Sequence, residues 1–414
     1  MADYSFGPFL LDTKASRLTR YGAEVRLRPR AFHSLRVLLQ HRGEFVGYEA
    51  MIAEAWEGTH VSPHTVDVTL GDVRKRLDEY GRWIVHRPKF GYALEVPRSD
   101  ELVRQGWHFW GPRTRTGCER AIECFKRAIG ESPSDFRAFE GLSASYLALA
   151  VFGIRPPLDM YPRFVEAHEQ AAVLSGLRPE LRCNRAFGLC VFERRHAESE
   201  VEFLRALEEK PALASTYVRL GMLYGACGRF NDALGVLGRG HQADSLLPTL
   251  AAAEVLVRCW QRDFDAAVSV GSKAVELHPY FPILHVDYAQ ALEYSGRLEE
   301  ALAQYQVASI LAPDLPWLRA LEGACRAKLG RHRDASAILE GLEGLRRSEY
   351  VDAYHMAVFR AALGQCDHAL AELERASVEN SAWIYAMGVD PRLDPLRATA
   401  RFRRLQKTSR AVRT

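Results

Sequence analysis

Small and apolar residues recur at a fixed interval along the central part of this 414-residue chain. The clearest set is a series of alanines spaced 34 residues apart: Ala233, Ala267, Ala301, Ala335 and Ala369. Five residues before each alanine stands a glycine or, once, an arginine: Gly228, Arg262, Gly296, Gly330 and Gly364. Twelve residues before the alanines the side chains are mostly small: Gly221, Val255, Ala289, Gly323 and Ala357. Because small residues let two helix backbones approach closely, this pattern predicts a stack of helix pairs.

A 34-residue period with small residues, a turn and a terminal proline, such as Pro279 or Pro313, resembles the tetratricopeptide repeat (TPR). About eight such units fit into residues 99–381, which we therefore predict to form a TPR array. The resemblance implies an α-α superhelical solenoid that mediates protein interaction, oligomerisation or signal sensing. Several aromatic residues at repeat positions serve either packing or contacts with a ligand in the groove: Tyr217, Tyr224, Tyr288 and Tyr294.

The first hundred residues differ in composition from the repeat region, because β-branched and turn residues interrupt short apolar runs there. A short strand is predicted over residues 6–12, and a hairpin is predicted around a turn at Tyr21 and Gly22. A second hairpin is predicted near residue 90, where Pro88 and Lys89 form the turn. Short strands on both sides of a helical stretch indicate a small α+β domain.

Three helices are predicted between the two hairpins. The first starts at Pro29 and is ended by Gly43, and the second covers about residues 48–56. The third starts at Ser62, with the serine as N-cap and Pro63 at the first helical position. Its apolar residues follow at steps of four, three and four, so they share one inward face: Val66, Leu70, Val73 and Leu77.

This order of strands, helices and hairpin, together with three local strings, resembles the OmpR/PhoB-type winged helix-turn-helix DNA-binding domain. The strings are Thr65-Val66-Asp67-Val68, Val73-Arg74-Lys75-Arg76-Leu77 and Pro88-Lys89-Phe90-Gly91-Tyr92, of which the last is similar to the wing of the ToxR/CadC branch and its soluble relatives. The resemblance covers about residues 5–97. We therefore expect residues 1–98 to be a winged-helix domain whose third helix enters the major groove of double-stranded DNA.

The side chains expected to contact DNA lie opposite the apolar face and in the wing. A valine methyl group can touch a thymine methyl group, lysine and threonine can reach phosphates, and arginine can bind phosphate or guanine. The absence of a side chain on a glycine removes bulk at the closest approach to the duplex. The predicted DNA-binding residues are His64, Thr65, Val68, Gly71, Asp72, Arg74, Lys75, Arg76, Arg87 and Lys89.

Two positions depart from the pattern of the resembled family. Asp72 is acidic where many relatives are basic, so it repels phosphate unless it accepts from a cytosine amine or pairs with Arg76 four residues later. Phe90 occupies the tip of the wing, where relatives often have arginine. Both residues weaken electrostatic attraction to DNA. Taken without its context, the Arg74-Lys75-Arg76 run would be interpreted as a solvated helix face.

Charge is divided unevenly along the chain, although the net charge is only +3. Residues 1–98 contain 15 Lys and Arg against 12 Asp and Glu, whereas residues 99–381 contain 32 against 38. Residues 382–414 contain 8 against 2. This last segment is predicted to be a capping helix and basic tail, in which Leu396, Phe402 and Leu405 cover the last repeat and the arginines face water. The alternative for the tail is a second nucleic-acid contact.

No sequence pattern points to catalysis, a cofactor or a metal. The 14 histidines and 8 cysteines show no zinc-binding spacing, and neither a phosphate-binding glycine loop nor a nucleophile elbow occurs. We therefore expect no catalytic residues, no cofactor and no metal, and an enzyme is not expected. The sequence also contains no apolar run of about 18 residues, so no membrane contact is expected, and scattered cysteines fit a reducing cytoplasm.

These observations favour a cytoplasmic, bacterial-type transcription regulator. Its winged helix is expected to bind promoter DNA, and its TPR array to bind RNA polymerase or another regulator, or to sense a signal. A single weakly charged winged helix binds weakly, so a homodimer on adjacent half-sites is expected. The alternative is a TPR adaptor whose winged helix docks onto a protein such as RNA polymerase, and Asp72 and Phe90 favour that alternative.

Overall fold

A computed structural model describes residues 3–20 and 23–410 of the chain. The chain divides into two compact units. The first consists of Met1–Gln105 with Arg127–Pro133, and the second of Gly106–Lys126 with Ser134–Thr414.

The first unit begins with a four-stranded antiparallel sheet in which consecutive strands are neighbours. Its strands are β1 (Tyr4–Phe6), β2 (Phe9–Asp12), β3 (Arg17–Arg20) and β4 (Ala23–Val25). Three helices and a 3-10 turn follow: α1 (Pro29–Gln40), α2 (Tyr48–Ala55), α3 (Pro63–Arg76) and the turn Asp78–Trp83. A two-stranded antiparallel hairpin, β5 (Ile84–Arg87) and β6 (Gly91–Leu94), completes the α+β domain.

The strand predicted over residues 6–12 is wrong, because the chain reverses within it. Gly7 adopts a φ of +52°, and β1 and β2 pair as a tight hairpin in which Phe6 lies opposite Phe9. A Cβ atom at Gly7 would lie 2.7 Å from the ring of Trp83, so this close turn requires glycine. The predicted turn at Tyr21 and Gly22 lies outside the described residues.

The inward face predicted for the third helix is confirmed. Val66, Leu70, Val73 and Leu77 have no exposed surface and belong to one core shared by both sheets and all three helices of the domain. Burying a side chain of this size contributes about 1.5–3 kcal/mol, so this face fixes the rotation of α3 about its axis. The opposite face is consequently directed outward.

The start of α3 is where the sequence predicts it. Ser62 has an extended backbone at the N-cap, and Pro63 takes the first helical position. The Ser62 hydroxyl does not cap a backbone N–H, and instead lies 3.2 Å from the hydroxyl of Thr65. The predicted position of the cap is correct, while the expected capping hydrogen bond is absent from this part of the described chain.

Helices make up almost all of the rest of the chain. They are α4 (Arg98–Trp110), α5 (Arg115–Glu131), α6 (Phe136–Val151), α7 (Pro157–Ser175), α8 (Pro179–Gly188), α9 (His196–Glu209), α10 (Ala214–Ala226), α11 (Phe230–Ala243), α12 (Pro248–Gln261), α13 (Phe264–Leu277), α14 (Pro282–Tyr294), α15 (Leu298–Leu311), α16 (Pro316–Lys328), α17 (His332–Leu345), α18 (Ala353–Ala362), α19 (Cys366–Val378) and α20 (Ala400–Arg410). A π-helical turn covers Leu189–Glu193, and 3-10 turns cover Ala382–Ala386 and Pro391–Leu396.

In the second unit, α6 to α19 pack as consecutive antiparallel pairs of the TPR type, each pair stacked on the next. All five alanines of the 34-residue series are completely buried. The five residues that precede them by five positions all have a φ between +71° and +80°, including Arg262. The period therefore marks both the contact between paired helices and the turn that joins them, and the α-α solenoid is confirmed.

The segment after α19 packs differently from the predicted cap. Leu396 and Phe402 are buried as expected, but the side chain of Asn380 donates to the carbonyl oxygen of Phe192 at 3.2 Å. The guanidinium of Arg262 donates to the carbonyl oxygen of Val389 at 2.7 Å. The segment therefore contacts repeats near the middle of the array as well as the last one.

The arginines of this segment also do not all face water. Arg392 is buried, and its guanidinium donates to both carboxylate oxygens of Asp390 at 2.6–2.9 Å. An amphipathic pattern identifies an apolar face but not the distant residues that cover it, which is why the sequence predicted only a cap. None of the described helices is long and apolar enough to cross a membrane.

Candidate nucleic-acid interface

The outward face of α3 is a strip of exposed side chains. Val68 is 59% exposed although it is apolar, and His64, Lys75 and Arg76 are also exposed. A Cβ atom on Gly71 would meet nothing within 4 Å, so the middle of the strip is open. We define the α3 strip by the predicted residues of this helix that lie on or beside this face: His64, Thr65, Val68, Gly71, Asp72, Lys75 and Arg76.

Three members of the α3 strip are half-buried: Thr65, Gly71 and Asp72. The carboxylate of Asp72 lies 3.9 Å from Nε of Arg76, one helical turn later. This is the pairing that the sequence offered as one explanation of an acidic residue here. The contact is long and exposed, so Arg76 can exchange it for another anion at a cost below about 1 kcal/mol.

The β5–β6 hairpin forms a wing beside α3. Arg87, Lys89 and Phe90 are exposed at its tip, and Phe90 is 64% exposed. The guanidinium of Arg87 lies 4.7 Å from the ring centroid of Phe45, so this cation rests on an aromatic face.

Glycine is required at the end of the wing turn. Gly91 has a φ of +96°, and a Cβ atom there would lie 2.0 Å from the carbonyl oxygen of Val46. Backbone hydrogen bonds between Val46 and Tyr92, at 2.7 and 3.0 Å, hold the wing against the loop before α2. The position of the wing is thus fixed by close backbone contact.

Arg74 is placed differently from the other predicted DNA-binding residues. Its Nε and Nη2 atoms donate to the carbonyl oxygen of Ile84, at 2.9 and 2.6 Å, and its guanidinium lies 5.4 Å from the ring centroid of Tyr92. The side chain is half-buried between helix and wing. Arg74 therefore links α3 to β5 and β6, rather than extending from the α3 strip.

Asp67 is the centre of a hydrogen-bond network that the sequence analysis did not predict. The Oδ1 atom of Asp67 accepts hydrogen bonds from the hydroxyl groups of Tyr48 and Tyr92, both at 2.7 Å. The Tyr48 hydroxyl also lies 3.1 Å from Nε2 of His86. The network joins α2, α3 and both wing strands, so it sets the spacing between the α3 strip and the wing.

The electrostatics of this network favour the charged form of Asp67. Burial alone would raise its pKa, but the hydrogen bonds from Tyr92 and Tyr48 outweigh burial and lower the pKa of Asp67 below its ordinary value. Burial and the hydrogen bond to Asp67 raise the pKa of Tyr92. Two features of the sequence could have indicated this network. One is an acidic residue, Asp67, directly beside the apolar face of α3, and the other is Tyr92 in the string predicted to form the wing.

The combined surface carries positive charge around an apolar centre. The cations are Lys75 and Arg76 on α3 and Arg87 and Lys89 in the wing, and all four are exposed. Val68 is exposed on the same helix, and Asp72 is the one acidic side chain of the α3 strip. Cations spaced in this way suit phosphates, and an exposed valine suits a thymine methyl group. Within the described residues, no group of three or more His, Cys, Asp or Glu side chains could hold a metal ion.

A family model described as "Transcriptional regulatory protein, C terminal" matches residues 22–94 of the chain. Residues 22–94 form a transcriptional regulatory domain of the OmpR/PhoB type. The match spans the three helices and the wing, and so includes every residue of the α3 strip.

The chain is also similar to a curated protein. The chain is 30% identical over 95 residues to the transcriptional activator CadC of Escherichia coli strain K12. The alignment covers 22% of this chain and 19% of CadC, so the chain spans about a fifth of the length of this relative.

Solved structures show similarity to a larger part of the chain at low sequence identity. A human IFIT1 dimer covers 93% of this chain and 91% of its own, with a TM-score of 0.54 and 16% identity. A monomeric IFIT1 mutant gives a TM-score of 0.55 at 14% identity, and covers 92% of this chain and 91% of its own. At these identities the similarity concerns the fold alone.

Proposed function

We propose that the protein is a sequence-specific, double-stranded-DNA-binding transcription regulator. The observation that carries this proposal is the α3 strip: one face of α3 is completely buried, while the opposite face exposes Val68 among basic side chains. The match of residues 22–94 to a transcriptional regulatory domain supports it. Since its target is bacterial promoter DNA, we place its action in the cytoplasm.

In this proposal α3 lies in the major groove and the wing lies over the neighbouring backbone or minor groove. Val68 contacts a thymine methyl group, Gly71 allows close approach, and Asp72 accepts from a cytosine amine or releases Arg76. The remaining contacts are made mainly to phosphates, which fix the register of the helix. They are assigned to His64, Thr65, Lys75, Arg76, Arg87 and Lys89, while Arg74 positions the helix against the wing.

We assign the repeat array to protein interaction, oligomerisation or sensing, because stacked helix pairs present extended surfaces for partners. A homodimer would place two copies of α3 on half-sites about one helical turn of DNA apart, and would compensate for the low charge of one domain. RNA polymerase or a second regulator is the partner class that a promoter-bound protein would recruit.

The test uses the full chain. Duplexes enriched from a random library by binding to the protein are titrated by fluorescence anisotropy at several salt concentrations. We expect affinity to fall as salt rises, with a slope of about −0.9 per phosphate contact. The Lys75→Ala/Arg76→Ala variant should lose at least about tenfold in affinity and reduce the slope by about two units.

The matched control for this variant removes two exposed cations from the N-terminal sheet region, Lys14 and Arg17. The Lys14→Ala/Arg17→Ala variant has the same charge as the test variant, but should retain affinity. Equal losses in both variants would show that only net charge matters. Salt-independent binding, or full affinity in the α3 variant, would contradict the proposal.

A second candidate, an adaptor whose winged helix docks onto a protein, is favoured by the exposed aromatic ring of Phe90 and by Asp72. An adaptor would enrich no DNA sequence from the library, yet would bind purified RNA polymerase. The Phe90→Ser variant distinguishes the two candidates: it should abolish adaptor binding, whereas under the DNA-binding proposal it changes affinity for the duplex less than the loss of Lys75 and Arg76.

A further inference from the structure

The second unit contains a partly open cavity of about 180 Å³. Its walls come from the first helix of every pair from α6 to α18, from the end of α4 and from the segment after α19. An engineered cavity of about 150 Å³ in another protein binds benzene, so this volume accommodates a small ring. Apolar and aromatic side chains form most of the lining, among them Trp110, Leu147, Phe187, Leu256 and Trp383.

One end of the cavity carries two guanidinium groups. Arg113 lies 4.3 Å from the ring centroid of Trp110, and Arg219 lies 4.9 Å from that of Phe187. Arg219 also donates to the side-chain oxygen of Asn184 at 2.6 Å. Within the described chain, neither guanidinium has a carboxylate at salt-bridge distance. Two cations on aromatic faces without a counter-ion form a site suited to an anion.

The two arginines influence each other. Burial, and next the nearby positive charge of Arg219, lower the pKa of Arg113 to about 10. The Arg113 guanidinium nevertheless remains charged at neutral pH, because a pKa of about 10 lies well above 7. An anionic group held between them would relieve the repulsion and supply hydrogen-bond acceptors, because a carboxylate has two oxygens that accept from guanidinium N–H groups.

A second polar position lies further along the cavity wall, on α14. Asp287 and Gln290 are buried one helical turn apart, and within the described residues neither side chain has a hydrogen-bond partner. Burial raises the pKa of Asp287 well above its ordinary value, although the charge of Arg392 opposes this effect. The indole N–H of Trp317 also lines the cavity, and is buried without a partner in the described chain.

Two other polar side chains of the lining already have partners. Arg392 donates to both oxygens of Asp390, and His355 lies 2.6 Å from a carboxylate oxygen of Asp352. The uncompensated groups are therefore the arginine pair at one position, and the acid and amide at the other. Asp287 and Gln290 are buried, whereas Arg113 and Arg219 are half-buried, and all four side chains line the cavity and can take a partner from it.

We propose that this cavity is a binding site for a small amphipathic carboxylate, whose anionic group lies between Arg113 and Arg219, whose ring packs against the aromatic lining, and whose far end donates a hydrogen bond to Asp287 or Gln290. This inference names a ligand class for the sensing role that the proposed function assigns to the repeat array. The biological role of the ligand rests on the proposed function, whereas its binding to the cavity does not. The binding measurement below contains no DNA, so its failure would leave DNA binding standing.

The experiment is isothermal titration calorimetry of the full chain with three related probes. The first probe, 3-(4-hydroxyphenyl)propionate, carries both end groups; 3-phenylpropionate lacks the donor; tyramine replaces the carboxylate by an amine. We expect the first probe to bind most tightly, 3-phenylpropionate more weakly, and tyramine not at all at millimolar concentration. This order is measured on the unmodified protein, and so does not depend on any variant folding.

Variants then locate the bound groups. Arg113→Gln and Arg219→Gln should each weaken binding of both carboxylates by about tenfold or more, as expected for loss of a hydrogen bond between charged groups. Asp287→Asn should reduce the preference for 3-(4-hydroxyphenyl)propionate over 3-phenylpropionate. Arg239→Gln is the control, because Arg239 is exposed and also rests on an aromatic ring, that of Tyr217.

Several results would overturn the proposal. One is the absence of binding by either carboxylate at millimolar concentration. Another is tyramine binding as well as the carboxylates do. A third is that folded Arg113→Gln and Arg219→Gln variants, checked by circular dichroism, bind as tightly as the Arg239→Gln control.

Discussion

The side chain of Arg74 donates two hydrogen bonds to the backbone carbonyl oxygen of Ile84, at 2.9 and 2.6 Å. This contact joins the last turn of α3 to the first residue of the wing. This contact favours a positioning role for Arg74, one of three consecutive basic residues that were predicted to contact DNA. The other two, Lys75 and Arg76, remain exposed.

Arg74→Ala is therefore expected to act on the domain rather than on phosphates. Removing the guanidinium leaves the Ile84 carbonyl without these donors and should cost about 1–3 kcal/mol of unfolding free energy, measured by urea denaturation. DNA affinity should fall because the wing shifts, while the salt slope stays within about half a unit of that of the unmodified protein. A slope reduced by a full unit, with unchanged stability, would instead make Arg74 a phosphate contact.

Replacing either of two glycines of the regulatory domain by alanine should change its stability, in opposite directions at the two positions. Gly91→Ala places a methyl group 2.0 Å from the Val46 carbonyl oxygen at a positive φ, so we expect a loss above about 2 kcal/mol or failure to fold. Gly71→Ala meets nothing within 4 Å on a helix and should gain up to about 1 kcal/mol. Thermal and urea unfolding of both variants measure the change in unfolding free energy. Similar changes in the two variants would contradict the explanation from the close contact at Gly91 and the open space at Gly71.

Removing Arg392 should make stability depend on pH in a new way. The positive charge and hydrogen bonds of Arg392 outweigh burial and lower the pKa of Asp390, so the pair contributes stability that is lost as pH falls through that pKa. Arg392→Met leaves Asp390 buried without its counter-ion, at a cost of about 3–5 kcal/mol at pH 7. The variant should then regain stability as pH is lowered from 7 to 5.

The Asp390→Asn/Arg392→Met double variant provides the control for this effect. It leaves no buried charge of the pair, so it should be more stable than Arg392→Met alone and show little difference between pH 7 and 5. Urea unfolding at both pH values measures the difference. An Arg392→Met variant that loses stability on acidification would contradict the assignment.

His168 is expected to destabilise the repeat array in acid. Burial, and next the charge of Arg185, lower the pKa of this histidine to about 4. Below the unfolded-state pKa of about 6.5 the unfolded chain binds the proton preferentially, so stability falls between pH 6.5 and 4, by up to about 3 kcal/mol. His168→Phe should remove this part of the pH dependence, whereas His332→Gln, at an exposed position, should retain it.

The period along the chain predicted the repeat array well, because a buried alanine and a left-handed turn each have a local sequence signature. A further signal was available, since Pro248, Pro282 and Pro316 are 34 residues apart and each begins the first helix of a pair. The apolar face of α3 was predictable for the same reason, as its spacing alone fixes which residues are buried.

Other features depend on contacts between residues far apart in sequence. The hydrogen bonds from Tyr48 and Tyr92 to Asp67 join residues that lie 19 and 25 positions apart, and no local sequence pattern predicts them. The same holds for the placement of Arg74. The hairpin at Gly7 was missed because the apolar residues among 6–12 were interpreted as one strand, although Gly7 and Pro8 are turn residues. The ring of Trp83 shows why glycine is required at position 7.

The contacts of Asn380 with Phe192 and of Arg262 with Val389 affect how the array unfolds. In a stack where each repeat meets only its neighbours, one end can fray while the other stays folded. Here the segment after α19 is bonded to repeats that lie more than 120 residues earlier. Unfolding of either region therefore removes contacts that stabilise the other, so the array is expected to unfold in a single transition. A distortion of the segment after α19 would also be transmitted to the repeats that it contacts.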